Sequence, residues 1–94
     1  MIGIISYGAY IPKYRIKLFD IARAWGKTPD EVIGSLGIAE KSVTGIYEDA
    51  VTIANESARS ALSSAEGLSP ESIEGLFVGS ESHPYAVNPT STIV

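Results

Sequence analysis

The sequence has 94 residues, a formal net charge of −4 and a hydrophobic fraction of 45%, with one histidine and no cysteine. A chain of this length forms at most one small domain, and its apolar fraction is typical of a packed interior rather than of a disordered segment. The composition excludes disulfides, thiolate metal sites and thiol nucleophiles within these residues, and the acidic balance disfavours binding to nucleic acid or to an anionic membrane surface.

The apolar runs are shorter than the about 18 to 20 residues that a membrane-spanning helix needs. The first residues also lack the basic segment followed by an apolar one that marks a secretory signal. We therefore expect a cytoplasmic protein.

The first predicted elements are a strand and a short helix. Residues 2–12, IGIISYGAYIP, are rich in β-branched and aromatic side chains and end at a proline, which is typical of a strand buried on both faces. The following stretch LFDIARAWG has apolar side chains at helical spacing up to Trp25, and Gly26 ends the pattern. We expect Trp25 to anchor this helix in the core.

Two further helices are predicted from their capping residues. Thr28 and Glu31 have the spacing of a capping box with Pro29 at the first helical position, so a helix begins there and ends near Gly37. Asp49 is placed to cap the longest helix, whose alanine-rich stripe allows close approach to a neighbouring element. The members of the stripe are Val51, Ala54, Ala58, Ala61, Leu62 and Ala65.

The remaining elements complete an α/β pattern. A short extended piece is expected in IAEKSVTGIYED, a helical turn at Ser69-Pro70-Glu71, and a second buried strand in IEGLFVGS, residues 73–80. Strand, helices and strand in this order predict parallel strands joined by a helical crossover. Two strands do not complete such a sheet, so we expect the chain to be part of a larger domain, and no second domain is indicated.

The candidate chemistry lies in VGSESHPYAV, residues 78–87, because ligands of open α/β sheets bind beyond the carboxyl ends of the strands. Apolar neighbours would raise the pKa of Glu81 toward that of a general base, and the alternative is a solvated loop carboxylate. From the residues alone, His83 is more simply a hydrogen-bonding surface residue and Tyr85 a packing residue. A basic cluster faces either a phosphorylated ligand or solvent, and it consists of Lys13, Arg15 and Lys17.

Several stretches together resemble the amino-terminal part of the archaeal hydroxymethylglutaryl-CoA synthases. They are IGIISYGAYIPKYRI, GIAEKSV, the Glu-Asp pair before VTIANESARSAL, and VGSESHPYAVNPTSTIV. The resemblance covers the whole chain. It implies a thiolase-like fold, with five αβαβα layers made from two similar halves, of which residues 1–94 are the first part of the amino-terminal half.

The resemblance also implies a reaction. In the family, a cysteine takes the acetyl group of acetyl-CoA, a glutamate removes a proton from the acetyl methyl, and the enolate attacks acetoacetyl-CoA. Hydrolysis of the thioester bond to the cysteine then frees 3-hydroxy-3-methylglutaryl-CoA. The glutamate motif of the family, Gly-Thr-Glu followed by Ser or Thr, matches Gly79-Ser80-Glu81-Ser82, so Glu81 is assigned the general acid/base role. Thr28 and Pro29 are assigned to substrate binding.

Two catalytic groups of the family do not match any residue of this sequence. The nucleophilic cysteine is not among the 94 residues, and the family's catalytic histidine lies much further along its chain, so His83 is at most a lining residue. Because no acetyl-enzyme forms without the thiol, we expect these residues to be inactive by themselves.

The resemblance implies no cofactor beyond the CoA thioester substrates. It implies a homo-oligomer and a complex with acetoacetyl-CoA thiolase and a small bridging acyl-CoA-binding protein, in the mevalonate route to isoprenoids. One alternative is a fragment of a ketoacyl-carrier-protein synthase III-like enzyme, which would not use Glu81. Another is a non-catalytic module that binds CoA or pairs with a synthase.

Overall fold

A computed structural model describes residues 2–94, which divide into two compact units. One unit is the contiguous segment Pro12–Ile46, and the other combines residues 2–11 with Tyr47–Val94. Over the described residues the chain is a small mixed structure of three helices, one two-stranded sheet and two 3₁₀ turns. None of these helices has the length and apolar character needed to cross a membrane.

In the unit Pro12–Ile46, two short strands flank two helices. The elements are β1 (Tyr14–Lys17), α1 (Leu18–Ala24), α2 (Pro29–Leu36) and β2 (Glu40–Val43). The strands pair antiparallel, with Tyr14 opposite Val43. The backbone N–H of Leu18 donates to the carbonyl oxygen of Ala39 at 2.9 Å, which continues the pairing beyond the strand ends. Backbone hydrogen bonds therefore join the start and the end of this unit.

The capping box predicted at Thr28 is present. The Thr28 hydroxyl accepts a hydrogen bond from the backbone N–H of Glu31 at 3.4 Å, and the Glu31 carboxylate accepts one from the backbone N–H of Thr28 at 3.2 Å. Pro29 is the first helical residue, and Gly37 ends α2 with a φ of 70°, a conformation that glycine adopts without strain. The predicted start and end of α2 are confirmed.

Helix α1 buries Leu18 and Ala22 and leaves the following Trp25 exposed. Leu18 and Ala22 are 2% and 0% exposed, whereas Trp25 is 76% exposed. The expectation that Trp25 anchors the core is wrong. The helix ends at Ala24, and Trp25 already has the non-helical angles φ −96° and ψ 3°, so its side chain does not continue the buried face.

The second unit contains the longest helix and two 3₁₀ turns. Its elements are α3 (Ala50–Ser64) and the 3₁₀ turns Pro70–Ser72 and Thr90–Thr92. The predicted cap at Asp49 is confirmed, since its carboxylate accepts from the backbone N–H of Thr52 at 3.0 Å. The predicted turn is also present, and the Ser69 hydroxyl caps it by accepting from the backbone N–H of Glu71 at 3.2 Å.

The amino-terminal segment of this unit lies directly on the backbone of α3. The Ser6 hydroxyl donates to the carbonyl oxygen of Ala61 at 2.7 Å. A Cβ atom placed on Gly8 would lie 2.3 Å from the backbone nitrogen of Ala61 and 2.6 Å from the carbonyl oxygen of Ser57. Position 8 therefore has no room for a side chain, and the alanine stripe of α3 permits the close approach that the sequence predicts.

The two buried strands predicted from the sequence are absent from the described structure. Residues 2–12 and 73–80 contain no strand, and Ile2 and Phe77 are 103% and 96% exposed. The parallel crossover predicted between these strands is therefore absent too, and the sheet that is present in the described residues pairs β1 with β2 antiparallel. A buried strand needs neighbouring strands for its backbone groups and a cover for both faces. The extended piece expected before α3 is confirmed as β2, whereas β1 was not predicted.

Candidate functional site

Glu81 lies on an exposed segment, within a small turn made by its two serine neighbours. The backbone N–H of Ser82 donates to the side-chain oxygen of Ser80 at 3.0 Å. Such a side-chain turn fixes the local backbone, and serine and threonine both form it through their hydroxyl. The Glu81 side chain is exposed in the described structure, so the apolar surroundings expected after a buried strand are not found there.

A shallow groove of about 260 Å³ lies along the segment after Glu81. It is lined by Val78, His83, Tyr85 and residues 86–91. His83 Nδ1 is hydrogen-bonded to Thr90 Oγ1 at 2.7 Å, and Thr90 is 3% exposed. The interpretation of His83 as a hydrogen-bonding residue is confirmed, and its partner, Thr90, was missed because the contact crosses an irregular loop.

Thr28 and Pro29 lie in the unit Pro12–Ile46, whereas Glu81 lies in the other unit. An open groove of about 520 Å³ in the same unit is lined by Lys27, Glu31, Val32, Ser35 and Leu36, and neither Thr28 nor Pro29 lines it. The observed role of Thr28 is to cap α2, and the assignment of Thr28 and Pro29 to substrate binding stays a prediction.

The basic cluster of Lys13, Arg15 and Lys17 is exposed, and two of its members contact nearby groups. Lys13 Nζ lies 5.2 Å from the centre of the Tyr14 ring, and Arg15 donates to the carbonyl oxygens of Pro12 and Tyr14. In residues 2–94 no group of three histidine, aspartate or glutamate side chains is arranged to hold a metal ion.

A contact between Tyr10 and Glu48 was not predicted. The Tyr10 hydroxyl donates to the Glu48 carboxylate. This hydrogen bond is the main cause that raises the pKa of Tyr10, and desolvation and the negative charges of Glu48 and Glu56 add to it. The two residues are 38 positions apart, so no local sequence pattern indicates that they meet.

Comparison with known proteins identifies relatives over the whole chain. The chain is 58% identical over 94 residues to hydroxymethylglutaryl-CoA synthase of Archaeoglobus fulgidus and spans 27% of that protein. It is 56% identical over 94 residues to the synthase of Methanocaldococcus jannaschii, again spanning 27%. It is 57% identical over 93 residues to the synthase of Methanosarcina barkeri and spans 26%.

The chain thus spans about a quarter of the length of these curated relatives. No protein-family model matches it. The matched regions cover nearly every residue of the chain, including the segment that carries Glu81. Over its whole length, the chain therefore corresponds to the amino-terminal part of the archaeal hydroxymethylglutaryl-CoA synthases.

Proposed function

We propose that the protein carrying this chain is a hydroxymethylglutaryl-CoA synthase, an acyltransferase that condenses acetyl-CoA with acetoacetyl-CoA to give 3-hydroxy-3-methylglutaryl-CoA. The observation that carries the proposal is the 58% identity to the Archaeoglobus fulgidus synthase over all 94 residues. Because the chain spans 27% of that relative, the activity is proposed for the whole protein rather than for these residues by themselves.

In the proposed reaction, Glu81 removes a proton from the methyl group of an acetyl thioester and later acts as the matching acid. A thioester methyl is a weak carbon acid, so the carboxylate must be held close to it in the correct orientation. The Ser80–Ser82 turn supports this role because it restrains the backbone on both sides of Glu81. The exposed position leaves the carboxylate accessible to a substrate.

The acetyl group is carried by a cysteine in this mechanism, and the 94 residues contain no cysteine. Glu81 therefore acts on an acetyl-enzyme whose thiol comes from outside this stretch of sequence. Thr28 and Pro29 are proposed to contact the CoA-bearing substrate.

The proposal extends to fold, assembly and location. The protein would have the thiolase-like αβαβα fold, with residues 1–94 as the first part of its amino-terminal half, and would act in the cytoplasm as a homo-oligomer without a cofactor. It would serve the mevalonate route to isoprenoids, in a complex with acetoacetyl-CoA thiolase and a small bridging acyl-CoA-binding protein. These points are what the resemblance to archaeal synthases would imply for the whole protein.

The test replaces Glu81 in the protein as it is made in its source organism. Glu81→Gln removes the base and keeps the size of the side chain, and Glu74→Gln, an exposed glutamate nearby, is the matched control. We expect the rate of condensation in Glu81→Gln to fall about 10²- to 10⁴-fold, the usual contribution of a general acid/base group. Transfer of the acetyl group to the enzyme should persist, since that step does not use Glu81.

Two results would contradict the proposal in different ways. Normal condensation by Glu81→Gln would remove Glu81 from the mechanism while leaving the activity in place. An unsubstituted protein that binds CoA saturably and forms no 3-hydroxy-3-methylglutaryl-CoA would favour the non-catalytic CoA-binding module instead.

A further inference from the structure

One side-chain hydrogen bond closes the segment that follows Glu81. His83 Nδ1 and Thr90 Oγ1 are 2.7 Å apart and seven positions apart in the sequence. Thr90 is 3% exposed, and its carbonyl oxygen accepts hydrogen bonds from the backbone N–H groups of Ile93 at 3.0 Å and Val94 at 3.2 Å. Thr90 is therefore restrained by hydrogen bonds of both its side chain and its backbone, and His83 is hydrogen-bonded to this restrained residue.

The bond matters because the segment that it closes is irregular. Residues 81–89 contain no helix or strand, and each of them is exposed. The Ser80–Ser82 turn restrains the chain around Glu81, and the His83–Thr90 bond restrains it immediately afterwards. Glu81 is thus presented from a short stretch that is fastened by side chains rather than by regular backbone hydrogen bonding.

We propose that His83 is a positioning residue, which keeps Glu81 in its reactive orientation by fastening the segment after Glu81 to Thr90. This inference rests on the proposed acid/base role of Glu81. Without the bond, the orientation of the carboxylate depends on the Ser80–Ser82 turn and becomes less well defined. Misplacement of a reacting group by about 1 Å can cost about 10²-fold in rate, so the loss appears in kcat more than in KM.

The experiment compares conservative and disruptive substitutions at both ends of the bond, in the protein as it is made in its source organism. His83→Asn keeps a polar atom near the place of Nδ1, whereas His83→Leu does not. Thr90→Ser keeps the hydroxyl, whereas Thr90→Val replaces it with a methyl group of similar size. The readouts are kcat and KM for condensation and the temperature of unfolding of each variant.

We expect kcat to fall about 10- to 10²-fold in His83→Leu and in Thr90→Val, with KM for acetoacetyl-CoA nearly unchanged. The conservative variants His83→Asn and Thr90→Ser should keep most of the kcat of the unsubstituted protein. The double variant His83→Leu/Thr90→Val should be no slower than the slower single variant, because both substitutions remove the same bond. If the bond contributed to stability alone, its loss would lower the unfolding temperature without a selective fall in kcat at nearly constant KM.

The outcomes separate this inference from the proposed function. Normal kcat in both disruptive variants, together with an inactive Glu81→Gln, overturns the positioning role and leaves the proposed function intact. Normal condensation by Glu81→Gln overturns the role of Glu81 itself. If neither disruptive variant folds, the bond serves stability alone and the positioning role is also overturned.

Discussion

The two units of the chain are held together in different ways. The contiguous unit Pro12–Ile46 relies on neighbours in sequence, such as the capping box of Thr28 and Glu31, and on two strands that pair within the same segment. The other unit joins segments that are far apart in sequence, through Ser6 with Ala61 and through the Tyr10 contact. Local chemistry therefore specifies the first unit, whereas the second depends on long-range fit.

The close packing of Gly8 on α3 gives the sharpest test of this comparison. Gly8→Ala places a Cβ atom 2.3 Å from the backbone nitrogen of Ala61, a separation that only a shift of the backbone can relieve. Overpacking of this kind costs about 1 to 3 kcal/mol. We expect the free energy of unfolding of the protein to fall by this amount, measured by urea denaturation.

Gly3→Ala is the matched control for that substitution. A Cβ atom at Gly3 has nothing within 4 Å, and neither Gly3 nor Gly8 has a positive φ, so the two replacements differ in space and not in backbone conformation. Gly3→Ala should leave the free energy of unfolding nearly unchanged. Equal effects of the two variants would show that long-range fit at position 8 does not stabilise the unit.

The cap of α2 tests how much a local contact stabilises the unit Pro12–Ile46. Its loss should lower the free energy of unfolding less than Gly8→Ala does. Thr28→Ala removes the oxygen that accepts from the backbone N–H of Glu31, and loss of such a cap costs about 1 kcal/mol of unfolding free energy. Thr28→Ser keeps the oxygen and should retain most of the stability. A loss of stability in Thr28→Ala larger than that in Gly8→Ala would show that the local cap contributes more to stability than the fit at position 8.

The same contrast explains which predictions from sequence are confirmed. The starts of α2 and α3 depend on side chains within three residues of Thr28 and Asp49, and those starts are confirmed. The strands expected at residues 2–12 and 73–80 depend on partner strands and covering layers, which the local pattern does not supply. The prediction that Trp25 is buried was wrong for a related reason, because helical spacing does not show where the helix ends.

The candidate site follows the same rule. Glu81 was found through a short motif, Gly79-Ser80-Glu81-Ser82, and the turn that restrains it lies within that motif. Thr90 was missed because its contact with His83 crosses a loop with no repeating pattern. A candidate residue that lies in a short motif can therefore be found from sequence, whereas a contact that crosses an irregular loop cannot.

The hydrogen bond between Tyr10 and Glu48 is another long-range contact of the second unit, and its effect on stability, which we expect to be the smallest, can be tested by changing the pH. The hydrogen bond to Glu48 favours the neutral phenol and raises the pKa of Tyr10 above its ordinary value. Because the pKa in the folded state is the higher one, the stabilisation is fully present below the pKa of the unfolded state and is lost as the pH rises through that of the folded state. The absorbance of tyrosinate, taken as the difference between the unsubstituted protein and Tyr10→Phe, measures this midpoint.

Glu48→Gln should lower the midpoint of Tyr10 toward the ordinary tyrosine value. The amide can still accept a hydrogen bond, but it carries no charge, and repulsion between a carboxylate and the developing phenolate is thereby removed. Thr52→Ser is the control, because it keeps the hydroxyl that pairs with Asp49 at the start of α3 and leaves Glu48 in place. A midpoint that stays high in Glu48→Gln would show that the negative charge of Glu48 is not what holds the proton on Tyr10.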